Sequence, residues 1–290
     1  MLMNNTMASA SGVLWESFEL VKKNYTKFLL LTLLMFVFVI VIVGVGALAL
    51  ILSLSSQPLS VLNFPLFIFL AVVIIGIIFF VEPIWIGSYY SMALQSLKGD
   101  VSLSYAIKQA KDKYVALLST FAIEALVFII IDTLIFSPLL PSLPSVLRSF
   151  SFNGGLSSPT TLLSGPLLSF FGLAILLVLI YMVVTAILAP LLFEAVPLVM
   201  LEGTSGTKAI KESIDIGRKR FWSILSLVIL SSIFLILISF AGSIISTVVS
   251  LLNTIAGSLL NLIISFLISA FVVAWVSYLP VIFYRDYLGK

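Results

Sequence analysis

Apolar residues run in stretches too long for the core of a soluble domain, and short polar segments separate them. A helix crosses about 30 Å of hydrocarbon with about twenty apolar residues, and the chain supplies that length again and again. The first run is Phe28–Leu54. The second starts near Phe64 and passes Pro83 to about Met92. The third is Val115–Phe136, and the fourth extends from near Leu167 to about Leu201, with Pro190 and Pro197 near its end. Phe221–Tyr284 contains no charged residue and is too long for one helix; Asn253-Thr254 and Gly257-Ser258 offer a turn that divides it. The pattern predicts an all-α, polytopic membrane helical bundle of about six transmembrane helices, a single transmembrane domain over residues 1–290.

The polar segments carry a second pattern. Leu14, Phe18, Val21 and Tyr25 are spaced four, three and four; so are Leu103, Ile107, Ala110 and Tyr114, and so are Ile210, Ile214, Gly217 and Phe221. That spacing puts each set on one face of a helix. A basic residue stands three positions before each aromatic: Lys22, Lys111 and Arg218. Leu97-Lys98-Gly99 rhymes with Leu201-Glu202-Gly203, and the sequence ends on Tyr287-Leu288-Gly289-Lys290. The expectation is three parallel internal repeats, about 13–100, 101–204 and 205–290. Each consists of an amphipathic cytoplasmic surface helix, a span out and a span back. Parallel repeats differ from the inverted pairs found in many transporters. The polar, uncharged stretch from Met1 to Gly12 reads as a disordered lead-in without the basic start and short apolar core of a cleavable signal.

Charge fixes the orientation. Of the fifteen Lys and Arg, only Arg148 falls on the far side of the membrane when six spans are drawn. Basic residues stay in the cytoplasm, so both termini are expected there, in a multi-pass protein of a prokaryotic cell membrane. Basic amphipathic helices are attracted to anionic lipid, which makes membrane lipids the expected partner and Lys22, Lys111 and Arg218 the candidate lipid contacts. A protein partner or a second copy would dock on the same helices; nothing points to nucleic acid.

Composition narrows the chemistry. The chain is 61% hydrophobic and 9% charged, with no Cys and no His, against about a quarter charged in a soluble domain. Thiolate nucleophiles, disulfides, and the commonest general base and metal ligand are therefore missing. No glycine-rich phosphate loop and no metal-ligand spacing is present, so no cofactor and no metal is expected, and the chain reads as a non-enzyme. Carboxylates inside spans are the remaining candidates, because burying one is costly unless it serves a purpose. Glu124 lies about 15–17 Å along a helix from Lys113, near the midplane, and Asp132 lies eight residues on, about 80° around the same helix. No basic residue lies in any span to pair with Glu124. The two are candidate relay groups, with Asp132 nearer the outer headgroups. Glu82-Pro83, Glu194 with Pro197, and Pro280 read as hinges where spans return to the surface. Ser232, Ser239, Ser243, Ser246 and Ser250, facing Asn261, Ser265, Ser269 and Ser277, read as a packing stripe between the last two spans. Trp15, Trp85, Trp222 and Tyr284 read as interface anchors. The apolar loop Ser137–Pro166 is expected to lie along the outer surface.

One resemblance adds to this. Pro197-Leu198-Val199-Met200-Leu201-Glu202-Gly203, then Ala209-Ile210-Lys211-Glu212-Ser213, then Arg220-Phe221-Trp222, resembles a widespread group of prokaryotic six-span membrane proteins. That group includes the membrane domain attached to some glycerophosphoryl diester phosphodiesterases. The resemblance is clearest over residues 195–235. It implies a six-span helical protein, and it implies no phosphodiesterase activity, since the soluble domain that reaction needs is absent. Two functional expectations follow: an organiser of lipids or partner proteins, and, as the alternative, a small-solute or ion transporter centred on Glu124.

Overall fold

In a computed structural model, the described residues (10–54, 72–73, 76–77, 79–144, 165–252 and 254–288) form helices, with no strand among them. In chain order these are α1 (Ala10–Leu54), α2 (Glu82–Lys98), α3 (Leu103–Asp112), α4 (Tyr114–Phe136), a 3-10 turn (Ser137–Ser142), α5 (Gly165–Leu192), α6 (Ala195–Glu202), α7 (Gly206–Lys219), α8 (Phe221–Leu252) and α9 (Thr254–Leu288). Among the described residues, five stretches are long and apolar enough to cross a membrane: Ala10–Val41, Tyr114–Ser142, Leu168–Glu202, Phe221–Ile245 and Leu260–Asp286. The protein is an all-α polytopic bundle. Part of the expected second run (64–71, 74–75 and 78) lies outside the described residues, and α2 holds its far end. Asn253 of the expected turn and most of the outer loop also lie outside them.

Local chemistry sets the element ends. Gly99 and Gly203 close α2 and α6 with φ of 117° and 67°, a region a side chain disfavours. Ser102 starts α3, its Oγ accepting from the Tyr105 N–H at 3.5 Å. Lys113 (φ −102°, ψ 10°) breaks α3 from α4, and Arg220 (φ −121°, ψ 23°) separates α7 from α8. The first amphipathic segment differs: it continues into its span as one helix, and that helix already includes Ala10–Gly12, where a disordered lead-in was expected.

The amphipathic segments press on the bundle with a stripe shifted from the apolar face read in the sequence. Leu14, Phe18 and Tyr25 are half-buried, as are Leu103, Ile107 and Tyr114, and Ile210, Ile214 and Phe221. Full burial falls on Ser17, Ala106 and Ser213; on Val21, Ala110 and Gly217; on Phe28, Leu117 and Ile224; and on Leu31, Thr120 and Leu227. Four triplets thus repeat one spacing of four, seven and three residues in each segment. Small residues occupy five of the six places in the first two triplets, Val21 being the exception, because they let helices approach closely. Gly217 is the extreme case: a Cβ there would stand 2.5 Å from the Pro190 carbonyl oxygen. Gly206 is pressed in the same way against the backbone of α4 at Ala116 and Thr120.

Each amphipathic segment packs on neighbouring helices. α3 packs on α2, α7 on α5 and α6, and the start of α1 on α9. Each junction carries polar pins. At α2–α3, Ser91 Oγ donates to Gln109 Oε1, and Gln95 Oε1 accepts from the Ser102 N–H at 2.8 Å. At α6–α7, Ser213 Oγ donates to the Leu191 carbonyl at 2.8 Å and accepts from the Glu194 N–H at 3.1 Å. At α9–α1, Arg285 donates from both terminal nitrogens to both oxygens of Glu16, at 2.6 and 2.8 Å. The best-packed core, with Phe28, Tyr89, Met92, Trp275 and Tyr278, gathers at this basic end of the bundle. The far halves of the spans expose Val41, Leu134, Ile175, Ile236 and Leu262, a surface that an aqueous solvent would not tolerate.

Several expectations change. Pro83 and Pro197 sit in the first turns of α2 and α6, where a missing N–H costs little, each just after a break in the helix at Val81 or at Phe193-Glu194. Pro190 and Pro280 lie inside helices. Ser232, Ser239, Ser243, Ser265 and Ser269 are exposed, not packed between α8 and α9. Ser232 bonds its own helix at Val228 O, 2.8 Å away. Tyr284 is buried and donates to Glu202 Oε1 at 2.5 Å, so it is no interface anchor, whereas Trp15 and Trp222 are highly exposed.

Candidate intramembrane site

Glu124 is positioned by the regularity of α4. Leu117, Thr120 and Glu124 lie three and four residues apart, so the face that buries the first two also turns the carboxylate toward the bundle. Glu124 is half-buried and lines a cavity of about 290 Å³ where α2, α4, α5, α6 and α9 meet; Tyr90, Phe121, Phe193, Val196 and Pro280 share its wall. Asp132 is not among the lining residues. It is half-buried two turns further along α4, and its Oδ1 is shielded with no hydrogen-bond partner among the described residues. The structure therefore does not join the two carboxylates of the sequence reading into one site.

It brings a different acid close. Glu194 sits in the short break between α5 and α6 and is completely buried, with no hydrogen-bond partner for either carboxylate oxygen among the described residues. Tyr90 lies within electrostatic reach of both Glu124 and Glu194. A sequence signal existed, an acid flanked by Pro190 and Pro197, yet only the Phe193-Glu194 turn tucks it into the core. A phenol within electrostatic reach of a half-buried and a fully buried carboxylate is a group that can pass a proton. No group of three or more Asp or Glu that could hold a metal ion is found among the described residues.

Residues 69–287 match a family model described as a domain of unknown function, DUF7847. The chain belongs to that family. No curated protein and no solved structure matches, and no link to the membrane domain of the phosphodiesterases emerges. The DUF7847 region takes in Glu124, Asp132, Glu194, Lys111 and Arg218, while Lys22 precedes it.

Within and beside the DUF7847 region, the candidate lipid contacts share one environment. Lys22, Lys111 and Arg218 are all exposed, each one residue beyond a fully buried Val21, Ala110 or Gly217. Burial of one side of the helix thus aims the basic side outward. Lys113 behaves differently: it is half-buried, its Nζ donates to the Met200 carbonyl at 2.5 Å, and loss of water holds its pKa below the ordinary lysine value.

Proposed function

We propose that this DUF7847 protein is a non-enzymatic, six-span protein of the prokaryotic cell membrane, built from three parallel units, that organises anionic lipid at its cytoplasmic face. One observation carries the reading: Lys22, Lys111 and Arg218 stand exposed at matching places on three amphipathic segments whose opposite faces are anchored in the bundle. Such a collar is rigid, so it presents charge without ordering a helix first. Each cation near an anionic surface contributes about 1 kcal/mol, less as salt rises. Both termini lie on this side, where the basic residues collect. The test is the triple reversal Lys22→Glu, Lys111→Glu, Arg218→Glu in nanodiscs of mixed phosphatidylglycerol and phosphatidylcholine. The exposed positions leave the fold intact, and enrichment of phosphatidylglycerol around the protein falls. Unchanged enrichment sinks the reading and leaves the segments as packing collars or docking sites for a protein partner.

A second reading, small-solute or ion transport, is favoured by the cavity at Glu124 with Tyr90 and the neighbouring buried Glu194. Glu124→Gln keeps the shape and removes the titration. In proteoliposomes it abolishes proton-coupled or cation flux if Glu124 is the relay, and wild-type flux from the Gln variant ends that reading.

A further inference from the structure

Two lateral grooves in the bundle share one construction. The first, about 530 Å³, lies between α1 and α2 and is closed at the basic end by α3. The second, about 590 Å³, lies between α8 and α9 and is closed at that end by the start of α1. Leu34, Val37, Phe38 and Val41 line the first, and Leu230, Ile233, Phe234 and Leu237 line the second with the same spacing. A Trp completes each, Trp85 in one and Trp275 in the other. Both volumes fall within the roughly 300–1,000 Å³ of ligand pockets, and both walls are overwhelmingly apolar.

Their basic ends differ. Lys111 lines the first groove and an adjoining hollow formed with Phe80, Ile84 and Tyr114. It is exposed and makes no ion pair among the described residues. At the second groove Leu14, Trp15 and Phe18 stand in the corresponding place, with no charged residue in the lining. We infer that both grooves hold phospholipid acyl chains, and that the α1–α2 groove selects an anionic headgroup through Lys111 whereas the α8–α9 groove does not select. The inference rests on the lipid reading above and sharpens it to one cation and one groove. A lipid fits better than an apolar peptide because the grooves open sideways on spans whose outer faces are exposed and apolar, and because a headgroup places its negative charge where Lys111 waits.

The test uses one tryptophan of each groove as a reporter in the full-length protein. Single-Trp versions keep Trp85 or Trp275 and carry Phe elsewhere. They are reconstituted in nanodiscs containing phosphatidylglycerol and phosphatidylcholine, with bromine on the acyl chains of one lipid at a time. Trp85 should be quenched by the brominated anionic lipid with about a fivefold preference, the factor set by one lysine near an anionic lipid. Lys111→Gln should erase that preference while Trp275 shows none in either background. Equal quenching of Trp85 by both lipids, unaffected by Lys111→Gln, overturns the inference. If removal of Trp275 harms folding, native mass spectrometry on the protein with all four Trp replaces the optical readout: Lys111→Gln must lose one tightly retained phosphatidylglycerol, and retention of the same number refutes the site. Failure here with a positive triple reversal defeats the groove alone; failure of both defeats lipid organisation.

Discussion

Replacing Gly217 by Ala puts one methyl group where the structure has no room for it. The new Cβ would lie 2.5 Å from the Pro190 carbonyl oxygen and 2.7 Å from the Leu191 Cα, against an ordinary contact of 3.4–4 Å. Both neighbours are backbone atoms in the last turn of α5, so neither can swing aside as a side-chain end would. The helices α7 and α5 must separate by close to 1 Å, and that movement loosens the Ser213 pin to Leu191 in the same contact. Overpacking of this kind costs about 1–3 kcal/mol, and each kcal/mol lowers Tm by about 2–4 °C in a chain of this order of size. The control is Gly172→Ala, a substitution with nothing within 4 Å of the added Cβ, which should be neutral. Thermal unfolding of the two variants in detergent, followed by intrinsic Trp fluorescence, gives the comparison. If Gly217→Ala melts with wild-type and Gly172→Ala, α7 does not lie against Pro190 and the packing argument for the collar fails.

The Glu16–Arg285 pair should show a coupling of about 0.5–1 kcal/mol in a double-mutant cycle, because its geometry is bidentate but its side chains are 41% and 32% exposed; the coupling should shrink in 1 M salt, and zero coupling would remove the α9–α1 pin. Lys113→Met should destabilise by about 1–2 kcal/mol through loss of the donor to Met200, and Lys113→Arg should recover only part of it; an unaffected Tm for Lys113→Met contradicts the hydrogen bond. In this Cys-free chain, single cysteines at Ser104 and Ser205 should react with an impermeant maleimide only from the cytoplasmic side and one at Ser157 only from outside. External labelling at Ser205 in intact cells would refute the six-span topology.

Apolar run length predicted α4 to within a residue, since Lys113 and the Ser137-Pro138 turn bracket it. The amphipathic segments were legible for the same reason: spacing survives whatever the tertiary context does. Their true contact face was legible only in part: Val21, Ala110 and Gly217 stand on the face read from the spacing and are buried, whereas Ser17, Ala106 and Ser213 carry little hydrophobicity and matter through smallness, which periodicity of apolar residues cannot register. The serine stripe of α8 failed for the converse reason. Spacing shows that Ser232, Ser239 and Ser243 share a face but not whether it points inward, and a hydroxyl that bonds its own helix can sit against lipid. Glu124 was found because a lone carboxylate in a span stands out by cost. Glu194 looked like a residue at a span end, and its depth depends on a turn that no local signal specified.

If three units share one scaffold, the place of Glu124 on α4 corresponds to Met35 on α1 and to Ser231 on α8, counted from the buried Thr120, Leu31 and Leu227. Neither of those titrates, so the acid is not something the scaffold needs in order to pack. The places of Lys22, Lys111 and Arg218 are basic in all three units, and all three are exposed. A feature kept in every unit belongs to what the whole collar does together; a feature present in one unit belongs to a task done once, near the centre. The exposed basic charge is of the first kind and the Glu124 cavity is of the second. A variant that moves the acid, Glu124→Met with Met35→Glu, separates them: it should leave lipid enrichment unchanged while any flux through the protein disappears, because the cavity with Tyr90 and Glu194 beside it stays on the α4 side.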